Sequence, residues 1–327
     1  MILSQRLREI LSSLSSVKVM VIGDLMLDEY LWGRVERISP EAPVPVVEIE
    51  SESIGLGGAA NVAHNISALG AVAIPVGVIG QDPAGEKLLM EMNRLGITTQ
   101  GIVVDPSRQT TLKTRVIAHH QHVVRTDRET KRPISQDMAR RIVNFVKEGI
   151  DQVDALLLED YNKGVITKQL LGQVIPLAVE RGKLCTADPK FDNFFDFKGV
   201  TVFKPNLREV EAAFGIRIGP KEDLPALGRK LLQRLGCKYV LFTQGADGMS
   251  LFEGDGVVSH VPAVAREVFD VSGAGDTVIA TLTVAMAAGA EIMEAVELAN
   301  HAAGMVVGQV GVVPVTKEMI EESLTRS

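Results

Sequence analysis

The chain has 327 residues with a formal net charge of −7, and 46% of its residues are hydrophobic against 23% charged. That composition supplies a core and excludes disorder. The acidic balance excludes general binding to nucleic acid or an anionic membrane, so any phosphate recognition has to be local.

No apolar run reaches the length of a membrane span without a Gly, a Pro or a charge. Cys185 and Cys237 lie in or beside apolar strand-like runs and read as reduced, buried thiols of a cytoplasmic protein. At the N-terminus, Leu3, Leu7, Ile10, Leu11 and Leu14 recur at helical spacing, interrupted by Arg6, Arg8 and Glu9, which predicts an amphipathic helix rather than a secretory leader. Short apolar runs at 17–22, 73–79, 155–158, 183–187, 200–203 and 239–243 then alternate with helical patterns at 59–69, 85–95, 135–148, 167–180, 207–214 and 224–235. This alternation implies right-handed crossovers and a mainly parallel sheet with helices on both faces, where ligands bind at the carboxyl ends of the strands. Two segments break the rhythm: residues from about 28 to 54 and from 111 to 126 show β-type alternation with turn signals and no helix. They predict a small antiparallel β lid, whose uncovered face calls for a substrate cleft or a second subunit. No linker or repeat divides the chain, so one domain over 1–327 is expected.

The stretch Asp270-Val271-Ser272-Gly273-Ala274-Gly275-Asp276-Thr277 is a small-residue turn that runs into an apolar, Ala-rich segment ending at Gly289. Gly273 to Asp276 would form the first turn of a buried helix, whose free N–H groups and positive dipole end favour a phosphate or a developing negative charge. A carboxylate repels a phosphate but suits removal of a proton from a hydroxyl that attacks one. Asp276 therefore reads as the base of a phosphoryl transfer, or else as a first-turn dipole partner. Asp24, after the first strand, offers an acceptor to sugar hydroxyls or makes a strand-end turn. Gly57, Gly58 and Asn61 belong to a second glycine-rich helix entry that admits a hydroxylated ligand or joins the lid to the body. Asn206 and Glu209 have the spacing of a capping box, and the same pair could hold Mg²⁺ through water. Thr243, Gly245 and Gly248 end a strand in a glycine turn that either cradles nucleotide phosphates or makes an ordinary hairpin. Strand ends at 159–164 and 188–190 each bring a carboxylate and a lysine to the ligand edge. The run His119-His120-Gln121-His122 lies at a hairpin tip with no Cys or carboxylate at ligand spacing, which favours a solvated turn over a metal site. The Walker A sequence and the protein-kinase motif set are both missing.

Taken together, the Gly-Gly entry with Asn61, the Asn206/Glu209 pair and DVSGAGDT resemble the PfkB or ribokinase-like family of sugar kinases over nearly the whole chain. Within it, RISPEAPVPVV, GGAANVAHNISALGA, DYNKG, DPK and ANHAAGMVVG are similar to the branch that phosphorylates D-glycero-β-D-manno-heptose 7-phosphate for ADP-heptose and lipopolysaccharide core synthesis. The resemblance implies a ribokinase-like three-layer α/β sandwich with a mainly parallel sheet and a small antiparallel β lid, and the poorly covered β surface of that lid leads us to expect a homodimer through it. It implies ATP and Mg²⁺, with a K⁺ site near Asp270 and Ser272. Asp276 would deprotonate the C1 hydroxyl, and the amides of Gly273, Ala274 and Gly275 would form the anion hole. Asp24, Gly57, Gly58, Asn61 and Asp160 would grip the sugar, with Lys163, Lys190 and Arg125 on its 7-phosphate. Asn206 and Glu209 would organise Mg²⁺, and Asn206, Thr243, Gly245, Gly248 and Asn300 would line the ATP site. The chain departs from the branch at His119 to His122, where Arg-Asn-Gln-Gln is usual, and at Phe191, where a glycine is usual. No adenylyltransferase motif G-x-F-D-x-x-H-x-G-H occurs, which implies the kinase alone. Other acceptors, such as fructose 1-phosphate or ribose, and a non-catalytic sugar-phosphate sensor are the alternatives.

Overall fold

The computed structural model describes residues 4–119, 121–219, 223–264, 273–308 and 313–325. Leu3, His120, Asp270, Val271 and Ser272, all singled out in the sequence, lie outside the described residues. The strands are β1 (Lys18–Gly23), β2 (Leu25–Ile38), β3 (Pro45–Gly58), β4 (Val72–Ile79), β5 (Gly101–Val104), β6 (Thr111–Ala118), β7 (Gln121–Arg128), β8 (Ala155–Glu159), β9 (Leu184–Asp188), β10 (Val202–Phe203), β11 (Tyr239–Thr243), β12 (Met249–Glu253) and β13 (Val258–Val261). The helices are α1 (Ser4–Ser13), α2 (Ala59–Ala68), α3 (Pro83–Arg94), α4 (Gln136–Gly149), α5 (Lys168–Glu180), α6 (Leu207–Phe214), α7 (Leu224–Leu235), α8 (Ala274–Ala287), α9 (Ile292–Val306) and α10 (Lys317–Thr325).

A nine-stranded sheet runs in the order β13-β12-β11-β10-β9-β8-β1-β4-β5. It is parallel from β5 to β11, and β12 and β13 add antiparallel strands at one edge. Alternation within each strand sends residues to opposite faces. Val19, Val21, Ala155 and Leu157 pack with α1, α2, α3, α8, α9 and α10, whereas Met20, Ile22, Leu156 and Leu158 pack with α4 to α7. The result is a three-layer sandwich, as expected. In the N-terminal helix, Leu7, Ile10 and Leu11 are buried, as is Leu14 just beyond it. Beyond the sequence expectation stand β5, β13, α9 and α10. The two strands have four residues each, too few for a clear period, and α9 buries small residues (Ala295, Ala299, Ala302) that give little amphipathic contrast.

The lid is a separate four-stranded sheet ordered β3-β2-β6-β7. The two expected hairpins, β2/β3 and β6/β7, are antiparallel, and their inner strands β2 and β6 pair in parallel. The β2/β3 hairpin reaches further into the body than the alternation indicated, from Leu25 opposite Gly58. Gly58 turns the chain from the lid into α2 with φ of 56°, and a Cβ there would lie 2.4 Å from the carbonyl oxygen of Asp24. That oxygen accepts the Ala59 N–H at 3.0 Å, so the glycine fixes lid, β1 and α2 to one another.

Candidate active site

Asp276 lies in the first turn of α8, and Gly273 precedes that helix with φ of 78°. The first helical hydrogen bond runs from Thr277 N–H to Gly273 O at 2.9 Å, which leaves the amides of the preceding turn without an intrahelical acceptor. The helix docks on α2 through polar contacts buried between them. Asn61 Nδ2 donates to Asp276 Oδ2 at 2.6 Å, Thr277 Oγ1 donates to Asn65 Oδ1 at 3.0 Å, and Asn65 Nδ2 donates back to Asn61 O at 2.9 Å. From the other side Tyr161 OH donates to Asp276 Oδ1 at 2.7 Å. Burial disfavours the charged carboxylate and outweighs these two donors, so the pKa of Asp276 rises from 3.8 to about 6. Such a group is ionised at neutral pH yet basic enough to take a proton.

Next to Asp276 the ends of β8 and β9 bring Glu159 opposite Asp188. Ligand oxygens of Glu159, Asp188 and Asp276 lie within 4.8 Å of one another, all three residues being buried. Both oxygens of Glu159 and Oδ1 of Asp188 have no hydrogen-bond partner. Burial, with Asp188 and Asp276 alongside, holds the Glu159 carboxyl well above the usual range. Lys204, at the end of β10 and 2% exposed, pairs with Asp188 Oδ2 at 2.7 Å. Its Nζ is 3.7 Å from where a Cβ on Gly275 would stand, so a buried cation underlies the turn that opens α8. Lys190 forms an ion pair with Glu209 and lies 5.0 Å from the centre of the Tyr161 ring. Burial pulls its pKa down, but Asp188 and Glu209 outweigh that and keep it charged.

Several expected roles change once the side chains are placed. Asp24 does not present its carboxylate to a ligand. Its oxygens accept the backbone N–H groups of Tyr161, Lys163 and Val165 at 2.8, 2.9 and 3.0 Å, and it is 1% exposed. It holds the loop that aims Tyr161 at Asp276. Asp160 likewise turns away, accepting Asn162 N–H at 2.8 Å and Asn193 Nδ2 at 3.2 Å, which steadies Asn162 in a left-handed conformation. Glu209 closes the expected capping box, since Asn206 Oδ1 accepts Glu209 N–H at 2.9 Å and Glu209 Oε2 accepts Asn206 N–H at 2.8 Å. Its other oxygen pairs with Lys190, so each carboxylate oxygen already has one partner. Arg125 is exposed and pairs with Asp127 at 2.9 Å, while Lys163 pairs with Glu129 at 2.6 Å. His119 touches the backbone of Val35 and His122 is exposed, consistent with a solvated turn. Phe191 is 59% exposed.

The residues expected around a nucleotide form a connected rim. Asn206 bridges to Thr243, Gly245 begins a helical turn with open space beside it, and Gly248 adopts φ of 85° close under Val261 to Ala263. Asn300 on α9 donates to Pro262 O at 2.8 Å and so ties the helix to the far side of that rim. Sequence reasoning missed Tyr161, Lys204 and the lid residues Asp28, Lys113 and Arg115. Their places at strand ends could have marked the first two. Period-two alternation could have placed the lid residues on one face, since Asp28 pairs with Lys113, and Lys113 with Asp127, in register.

The pfkB family carbohydrate kinase pattern matches residues 16–318 of this chain. The chain belongs to the pfkB family of carbohydrate kinases. Among its relatives, the bifunctional protein HldE of Geobacter sulfurreducens is 47% identical over 309 residues, covering 94% of this chain and 63% of that protein. The HldE of Pelobacter propionicus is 44% identical over 305 residues, covering 93% and 62%. The chain thus spans about three-fifths of the length of the relatives it matches. Arabidopsis thaliana ribokinase complexed with ribose and ATP superposes with a TM-score of 0.73 at 20% identity, covering 95% of this chain and 99% of that one. Escherichia coli phosphofructokinase-2 in complex with potassium gives 0.78 at 19%, covering 95% and 100%. The fold is ribokinase-like, and membership of this family makes the chain an ATP-dependent sugar kinase and implies ATP and a divalent metal ion. Among the described residues no helix is long and apolar enough to cross a membrane.

Proposed function

We propose that this pfkB kinase transfers the γ-phosphoryl group of ATP to the anomeric C1 hydroxyl of D-glycero-β-D-manno-heptose 7-phosphate, giving the 1,7-bisphosphate. The observation that carries the phosphoryl-transfer step is Asp276, a buried carboxylate with a pKa of about 6 in the turn that also offers free helix amides. Asp276 takes the proton of the attacking hydroxyl. Asn61 and Tyr161 hold its two oxygens in place, and the amides of Gly273, Ala274 and Gly275 stabilise charge on the moving phosphoryl. Lys204 adds a fixed positive charge beneath the same turn. The rim of Asn206, Thr243, Gly245, Gly248 and Asn300 suits the nucleotide. The heptose acceptor is favoured by the similarity to the heptose-kinase branch and by the HldE relatives.

The idle, buried oxygens of Glu159 and Asp188 fit a divalent cation, and these two residues would hold it more readily than the capped Asn206 and Glu209 pair. When bound, Mg²⁺ would neutralise charge on the transferred phosphoryl. A K⁺ site at Asp270 and Ser272 falls outside the described residues.

Coupled ADP release across heptose 7-phosphate, heptose, ribose, fructose and fructose 1-phosphate tests the acceptor, and strong preference for the first is expected. In Asp276→Asn, kcat should fall by about 10²–10⁴-fold while KM for ATP changes little. Near-normal turnover in that variant would refute the base.

A further inference from the structure

Three basic residues were expected on the far phosphate of the acceptor, and each already has an acidic partner: Lys163 has Glu129, Lys190 has Glu209 and Arg125 has Asp127. A fourth basic residue does not. Lys113 lies mid-way along β6 in a cross-strand row between Asp28 on β2 and Asp127 on β7. Both flanking carboxylates are committed elsewhere, Asp28 to Arg115 and Asp127 to Arg125. Among the described residues Lys113 has no hydrogen bond or ion pair, and its Nζ lies 5.4 Å from the centre of the Tyr161 ring. That ring carries the hydroxyl bound to Asp276 and has Lys190 5.0 Å from its centre. Lys113 is half-buried, and burial lowers its pKa; Asp28 opposes that shift from a distance, while Lys163 and Arg115 add to it. A half-buried ammonium in no ion pair, with other cations near it, is stabilised by an anion brought to it.

We propose that Lys113 is the lid residue that receives a phosphomonoester at the end of the acceptor sugar remote from the attacking hydroxyl, and so selects phosphorylated over unphosphorylated sugars. The inference rests on the sugar-kinase reading of Asp276 and deepens it. Tyr161 supplies the geometry: its hydroxyl marks the reacting end at Asp276, and the body of its ring spaces that end from Lys113. Arg115, which bridges to Asp28 and lies 5.3 Å from the Tyr30 ring, lines the same face without giving up its carboxylate.

The test compares heptose 7-phosphate with heptose in wild type, Lys113→Met, Lys113→Arg and Arg125→Met. Affinity is read by calorimetric titration without ATP, and kcat/KM by ADP release. The ratio of kcat/KM for the phosphorylated over the free sugar should fall about 10- to 100-fold in Lys113→Met and recover in part in Lys113→Arg. Inorganic phosphate should compete with the sugar phosphate in wild type and lose that competition in Lys113→Met. An unchanged ratio in Lys113→Met, or a loss seen in Arg125→Met instead, overturns the proposal, as does equal calorimetric affinity of wild type for the two sugars. Selective sugar-phosphate binding that depends on Lys113, with no ADP release from any acceptor, would sink the heptose kinase reading and leave the phosphate site standing.

Discussion

At the scale of single residues, the chemistry turns on how Asp276 is surrounded. Burial raises its pKa to about 6, and the hydrogen bonds from Asn61 and Tyr161 work against that rise. Only the ionised form accepts a proton. The competent fraction is therefore complete well above pH 6 and is lost as pH falls through that value. A profile of kcat/KM against pH should show its acid limb near pH 6. Removing the phenol hydroxyl in Tyr161→Phe deletes a donor to the charged form, which moves the limb to higher pH and depresses kcat/KM more at pH 6 than at pH 8. A limb that stays put in this variant would separate Tyr161 from the base. Asp24 and Asp160 show how burial redirects carboxylates of the same type: Asp24 accepts three backbone N–H groups of the distant 161–165 loop, Asp160 accepts Asn162 N–H and the Asn193 amide, and both brace the segment that carries Tyr161.

Among the elements, the junction of β3 and α2 sets the distance between lid and base. Gly58 has a left-handed backbone, and an added methyl would meet Asp24 O at 2.4 Å in a buried, hydrogen-bonded corner. Gly58→Ala should cost at least ~2 kcal/mol from the positive φ and the overlap together, read as a lower thermal midpoint. Gly55→Ala, three residues earlier with nothing within 4 Å of its added Cβ, should change the midpoint little. Equal stability of the two variants would show that the junction tolerates movement. The capping box at α6 serves a similar anchoring purpose, because it fixes Glu209 where it can pair with Lys190 beside Tyr161.

For the molecule as a whole, the lid leaves apolar side chains in solvent: Ile38, Ile49 and Ile54 on the first hairpin and Val123 and Val124 on the second. A four-stranded sheet with open edges and such a surface gains from a second copy. The expectation is a homodimer through the lid, measured as twice the chain mass by light scattering at micromolar concentration. Ile49→Lys combined with Val124→Lys should return it to a monomer. A monomeric wild type would remove the lid from the interface.

The sequence by itself determined the layered α/β architecture, because apolar runs of strand length alternate with helix-length periodic segments and burial follows that period. It also marked the turn at Gly273 to Asp276, since glycines before a long apolar helix have few other uses, and the Asn206/Glu209 box, whose partners are three residues apart. Local spacing carries all of these. Tertiary structure alone decided which polar groups stay idle. Asp24 and Asp160 look like ligand carboxylates in one dimension, yet the amides that occupy them belong to loops whose path only the folded chain defines. Glu159 and Asp188 come from separate strands, and their shared pocket arises from parallel register. Lys113 is left without an ion pair because Arg115 and Arg125, on neighbouring strand positions, make the direct contacts to the carboxylates beside it. Pairing of charges across a sheet is a competition among neighbours, and its outcome depends on distances that no linear spacing contains.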